Sequence, residues 1–197
     1  CLGNHDYHTN PQSQIDYTHS QYNDDKKWNL PSKFYNQSFP HCDMFFIDTN
    51  FKHLSEDFIQ RGLKDTIKSI KNSKKKWKIL CGHHTWRSVG GHGNAEPRHE
   101  KFMDDLLGQV KIDIYICGHD HCKSLINKND GITLGIIGTG GEPYDDPTVN
   151  MNTMHDCRLD YFSPSLGAGV LQIGKNKLTL KFFNDKGFCE YTHVVKK

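Results

Sequence analysis

Apolar residues recur at helical spacing in two places and form short unbroken runs in several others. Ile59, Leu63, Ile67 and Ile70 fall on one helical face, so an amphipathic helix is predicted from Glu56 to about Ser73. Phe102, Met103, Leu106 and Leu107 make a second such face, on a helix from Pro97 to about Gln109. The unbroken runs Met44–Asp48, Trp77–Cys81, Ile112–Cys117 and Ile132–Ile137 have the length of buried strands. Phe34–Phe39 also has strand character, and Ile15–Tyr22 is a short helix candidate. Near the C-terminus, Gly169–Ile173 and Lys177–Phe183 alternate about a turn at Lys175-Asn176, which predicts a hairpin, with Glu190–Val195 as a further edge strand. Strand–helix–strand units followed by hairpins point to an α/β fold with helices outside the sheets.

Composition changes this picture little, with one exception. The chain has 197 residues, 35% of them hydrophobic, enough for one domain core, and a formal net charge of +2 from 25 basic and 23 acidic residues. Near-balance of charge gives no general nucleic-acid or membrane coat, and the Lys74-Lys75-Lys76 run suits a solvated helix end. No run approaches the roughly 18 apolar residues of a membrane span. The seven cysteines are odd in number and lack the spacing of a disulfide framework or zinc knuckle; Cys81 and Cys117 close apolar runs and are expected to be buried thiols. The exception is histidine, thirteen in all, with His5, His8, His83, His84, His92, His119 and His121 in or beside three short motifs. Such clustering is what a metal site produces.

Three loops carry the chemistry. Each opens on glycine, which lets the backbone turn sharply and approach a bound group. Two of them, Gly82-His83-His84 and Gly118-His119-Asp120-His121, follow predicted strands, and in α/β sheets ligands collect beyond the carboxyl ends of strands. Taken singly each motif has an ordinary explanation. Paired surface histidines would give Gly-His-Asp-His, a core histidine would give Gly-His, and an Asx turn would give Gly3-Asn4-His5-Asp6. Three such motifs in one chain are better explained as one convergent metal site. His92 lies in the glycine-rich stretch Val89–Asn94, expected to be a mobile loop presenting an acid–base group.

The succession Gly-Asn-His-Asp, Gly-His, Gly-His-Asp-His resembles the calcineurin-like metallophosphoesterases, and in detail the purple acid phosphatases of the small tartrate-resistant type. Trp28-Asn29-Leu30-Pro31, Phe34-Tyr35, Phe46-Ile47-Asp48-Thr49, the nine-residue step from His83 to His92-Gly93 and Gly138-Thr139-Gly140-Gly141 extend the resemblance over nearly the whole chain. It implies a four-layer sandwich of two mixed β-sheets flanked by helices. It also implies a binuclear centre, with Asn4, His83 and His119 on the divalent ion and His121 on the other, usually Fe(III), the partner being Fe(II), Zn or Mn. His5 and His92 would stay off the metals as catalytic groups near the phosphate and the leaving group. The implied reaction is hydrolysis of phosphate monoesters, of small-molecule or phosphoprotein substrates, in a secreted or lysosomal setting.

Two departures qualify the resemblance. Family members place an Asp, a Gly-Asp with the bridging carboxylate and a Tyr before Gly-Asn-His-Asp, whereas this sequence opens on that motif. Residues 1–197 are therefore expected to be the C-terminal two-thirds of one catalytic domain, without its first strands, any targeting segment lying upstream. Lacking those carboxylates, the chain as written is expected to hold at most one divalent ion. The second departure is local: His84-Thr85 stands where the family usually has an aromatic or Arg followed by Pro, and Cys122 replaces an Asn. The rival classes are a non-catalytic scaffold on the same fold and a phosphodiesterase or phosphoprotein phosphatase.

Overall fold

A computed structural model describes residues 1–142 and 154–197. The elements follow from the pattern above. A short 3-10 turn, Asn4–His8, precedes α1 (Gln12–Thr18), β1 (Tyr35–Ser38) and β2 (Cys42–Phe46). Next come α2 (Glu56–Asn72), β3 (Trp77–Cys81), α3 (Pro97–Leu107), β4 (Ile114–Cys117), β5 (Lys123–Lys128) and β6 (Thr133–Ile137). The chain closes with β7 (Cys157–Ser163), β8 (Gly167–Ile173), β9 (Lys177–Asn184) and β10 (Cys189–Lys196). The Ser55 side chain caps α2 by accepting from the Phe58 amide, with Glu56 and Asp57 in the first turn, and Pro97 opens α3 where its missing N–H costs nothing.

Seven strands form one sheet in the order β1-β2-β3-β4-β6-β5-β7, and β2, β3, β4 and β6 run parallel. Strand alternation divides their side chains between two cores. Leu80 and Tyr115 face the helical side, where they share a core with Ile59, Leu63 and Ile67 of α2 and with Phe102 and Leu106 of α3. Ile79, Cys81, Ile114 and Ile116 point the other way, onto Leu178, Leu180 and Phe182 of β9. The order of layers is thus helices, seven-stranded sheet, second sheet: the two packed sheets of the expected α/β sandwich are present, and the described helices α2 and α3 cover one face, giving three layers among the described residues in place of four. The second sheet, β10-β9-β8, is antiparallel in its described strands, because successive hairpins reverse the chain at each turn.

β5 and β7 have no counterpart among the elements expected from the sequence. β5 begins with Lys123 and ends with Lys128, both buried. The Lys123 ammonium donates to Ser165 Oγ (3.0 Å), to the carbonyls of Leu166 and Phe183, and to Glu190 of β10. Lys128 pairs with Asp156 just before β7. These partners lie far along the chain, so the lysines read locally as solvent-facing. All seven cysteines are free, and Cys81 and Cys117 are buried as expected. Among the described residues no helix is long and apolar enough to cross a membrane.

Candidate metal centre

Because β2, β3, β4 and β6 run parallel, the loops that follow them open at one edge of the sheet. β2 leads to Asp48-Thr49-Asn50, β3 to Gly82-His83-His84, and β4 to Gly118-His119. The turn Asn4–His8 joins them: its Asp6 carboxylate accepts from the Gly3 amide (2.7 Å), and Asn50 Nδ2 donates to the Leu2 carbonyl (3.2 Å). Gly82 has to be glycine, since a Cβ there would lie 2.4 Å from the Tyr115 hydroxyl and 2.9 Å from Thr49 Cγ2. His119 sits at φ +66°, a left-handed conformation that a side chain rarely adopts and that concentrates at functional sites.

Four of the six residues assigned from the sequence come together. His83 Nε2 lies 2.8 Å from Asn4 Oδ1 and 3.1 Å from His119 Nδ1, and the His92 ring stacks on His119 at 4.0 Å. His121 is farther out, its ring 6.4 Å from that of His92. His5 is exposed, stacked on His8 at 4.9 Å, and is not among the residues lining the adjacent cavity. That cavity, about 330 Å³, is bordered by Thr49, Lys52, His84, His92, His99 and His119.

Burial draws His83 and His119 down to about 4 and His84 to about 3. All three imidazoles are therefore neutral in mildly acidic solution, the form that offers a lone pair to a metal. The donor chemistry fits one ion: an amide oxygen with clustered imidazole nitrogens. For a second ion, His121 is the assigned residue that remains, and it lies outside the cluster of His83, His84 and His119. The nearby carboxylates have other partners. Asp48 accepts from the Tyr7 hydroxyl and from Asn50, and Asp120 accepts from the Ser88 hydroxyl and the His92 amide (2.8 Å).

Asp120 also corrects the expectation of a mobile His92 loop. The stretch is pinned at several points: Thr85 Oγ1 donates to the Gly93 carbonyl (2.9 Å), the Ser88 amide to Asn94 Oδ1 (3.1 Å), and the Ala95 amide to the Trp86 carbonyl (3.0 Å). Glycine content suggests freedom, but a buried carboxylate gives the loop a fixed frame. Sequence reasoning misses Thr49, Asp120 and His99 at this edge. The first two act through contacts distant in sequence. His99, on α3, is buried with Nε2 unpartnered among the described residues, and no local pattern separates it from a surface helix histidine.

Residues 1–123 match the calcineurin-like phosphoesterases, and the chain belongs to that family. Within it, the chain is similar to purple acid phosphatases. It is 29% identical to purple acid phosphatase 3 of Arabidopsis thaliana, the alignment covering 100% of this chain and 57% of that protein. It is also 29% identical to the tartrate-resistant acid phosphatase type 5 of Sus scrofa, over 74% of this chain and 47% of that one. The chain thus spans about half to three-fifths of the length of these relatives. Among solved structures, GAP50, the anchor in the inner membrane complex of Plasmodium, superposes with a TM-score of 0.80 at 20% identity, covering 99% of this chain and 64% of that one. A purple acid phosphatase from yellow lupin seeds gives 0.68 at 15%, covering 87% and 34%. These two likenesses show the fold.

Proposed function

We propose that the protein is a metal-dependent hydrolase of phosphate monoesters, of the acid phosphatase type. The observation that carries this reading is the convergence of Asn4, His83 and His119 with His92 stacked beside them. Asn4, His83 and His119 would hold one ion and His121 would contribute to a second, as Fe(III) with Fe(II), Zn or Mn in the resemblance drawn above. Bound there, the ions would supply Lewis-acid activation of water and of the phosphoryl group.

The remaining work falls to the chain's own side chains. His92 stands beside the ligands without belonging to their cluster, in reach of a leaving oxygen that needs a proton. Asp120 holds the His92 backbone in place. The resemblance assigns His5, next to Asn4 in the turn, to the phosphate side, where charge accumulates as the ester breaks; in this structure it is exposed and outside the cavity lining, so that role requires its side chain to turn inward. Phosphomonoesters of small molecules and of proteins are both within this reading.

The test is leaving-group dependence. His92→Ala should keep its metal and lose about 10²–10⁴ in turnover on esters of poorly acidic alcohols, with a smaller loss on activated aryl phosphates. Equal losses on both classes would assign His92 to phosphate binding instead of proton donation. A second reading, a non-catalytic anchor, is prompted by the extent of the superposition on the Plasmodium protein. It predicts no turnover on any phosphate ester in metal-replete protein.

A further inference from the structure

His83, His84 and His119 each offer a ring nitrogen, and these atoms lie within 4.8 Å of one another. The family resemblance assigns His83 and His119 and leaves His84 without a role, since the family usually carries an aromatic or Arg there. We propose that His84 is an additional metal ligand, completing with Asn4, His83 and His119 a three-imidazole, one-amide site for a single borderline divalent ion such as zinc. The inference rests on the metal-binding part of the reading above and not on hydrolysis.

The geometry around His84 supports this. Its backbone amide donates to Thr49 Oγ1 (3.0 Å), its carbonyl accepts from the Tyr115 hydroxyl (2.6 Å), and its Nδ1 lies 2.8 Å from the same Thr49 oxygen. The residue is held at three points, two of them on one buried hydroxyl. In the tautomer that ligation requires, Nδ1–H donates to Thr49 and the lone pair is on Nε2. A hydrogen bond to one ring nitrogen commonly fixes the tautomer of a ligating histidine in this way. The His84 ring lies 4.4 Å from that of His119 and 4.9 Å from that of His83, the latter at 85°. An aromatic residue would fill this space but bring no donor.

The donor set also has a chemical consequence. Three imidazoles and an amide are neutral, so the ion keeps its full charge and attracts phosphate strongly. Nitrogen-rich sites favour zinc, cobalt or nickel over manganese or magnesium. Four protein donors match the usual coordination number of zinc, so water or phosphate would have to enter as a fifth ligand.

The experiment is metal binding by the full chain, stripped of metal and titrated with Zn(II) against a chromophoric chelator, and with Co(II) followed by its visible absorption. His84→Phe retains the ring's bulk and removes the nitrogen. It should weaken zinc binding by more than the ~10- to 100-fold that loss of a supporting contact costs, and diminish the absorption of four-coordinate cobalt. Thr49→Val should weaken it about 10-fold by freeing the ring. His19→Ala, at an exposed position, serves as the control and should bind normally. Unchanged zinc affinity in a folded His84→Phe variant overturns the proposal. So does a variant whose only defect is a higher KM for phosphate esters, which would make His84 a substrate contact. Failure of the hydrolytic reading shows separately, as metal-replete unaltered protein without turnover.

Discussion

Replacing His83 with Ala is expected to empty the proposed metal centre. His83 is its hub: Nε2 lies within hydrogen-bond distance of both Asn4 Oδ1 and His119 Nδ1, and the His83 ring packs against Gly3, where a Cβ would sit 3.0 Å from Cε1. Loss of the ring removes a donor and also the contact that positions the Asn4 turn. Metal affinity should fall by more than the ~10- to 100-fold typical of a lost supporting residue. Turnover should fall on the order of 10³-fold, since metal activation is worth several kcal/mol in the transition state. In the unaltered chain, burial holds His83 and His119 at about 4, so protons should compete with metal only as pH falls below about 5. Metal content after gel filtration, measured from pH 8 to pH 4, checks both statements. A His83→Ala variant with a full equivalent of metal would remove His83 from the ligand set. A loss of metal centred near the ordinary histidine value of about 6.5 would contradict the effect of burial.

The second large effect concerns stability. Lys123→Ala is expected to destabilise the fold by about 2–4 kcal/mol, because a fully buried side chain is lost and the buried acceptors around its ammonium lose their donor. Lys123 is fully buried on β5, and its ammonium reaches residues from β9, β10 and the loop before β8, so it joins the two sheets. Burial pushes the Glu190 carboxyl up, but its bonds to Lys123 and Tyr161 outweigh that and hold it below the usual range. Without Lys123 the Phe183 and Leu166 carbonyls lose a donor, and the exposed Glu190 loses its ion-pair partner. Adding Glu190→Gln to Lys123→Met should restore part of the loss, because the two residues share one interaction. Urea unfolding measures each variant; a loss below about 1 kcal/mol for Lys123→Ala would show that water replaces the ammonium without cost.

Helices α2 and α3 and strands β3, β4 and β6 are legible in the sequence because apolar spacing and buried runs are local signals. The hairpin of β8 and β9 is legible from alternation. β5 is not, since Lys123 and Lys128 are buried only through Glu190 and Asp156, which the local pattern does not contain. The same division holds at the centre. Asn4, His83 and His119 carry motif signatures and are brought together. The settings of His84, Thr49 and Asp120 come from hydrogen bonds across 28 to 35 positions of sequence. His92 is singled out by its spacing but its setting is not, because glycine content says nothing of the Asp120 carboxylate that fixes the loop.

This edge of the sheet is proposed to bind metal in order to hydrolyse phosphate monoesters. The most direct measurement is release of the alcohol from an aryl phosphate by the native protein, first metal-replete, then after chelation, then after adding back iron, zinc or manganese. Turnover should disappear with the metal, return when it is restored, and be inhibited competitively by inorganic phosphate. Turnover that survives complete metal removal, or its absence in metal-replete protein, would contradict it.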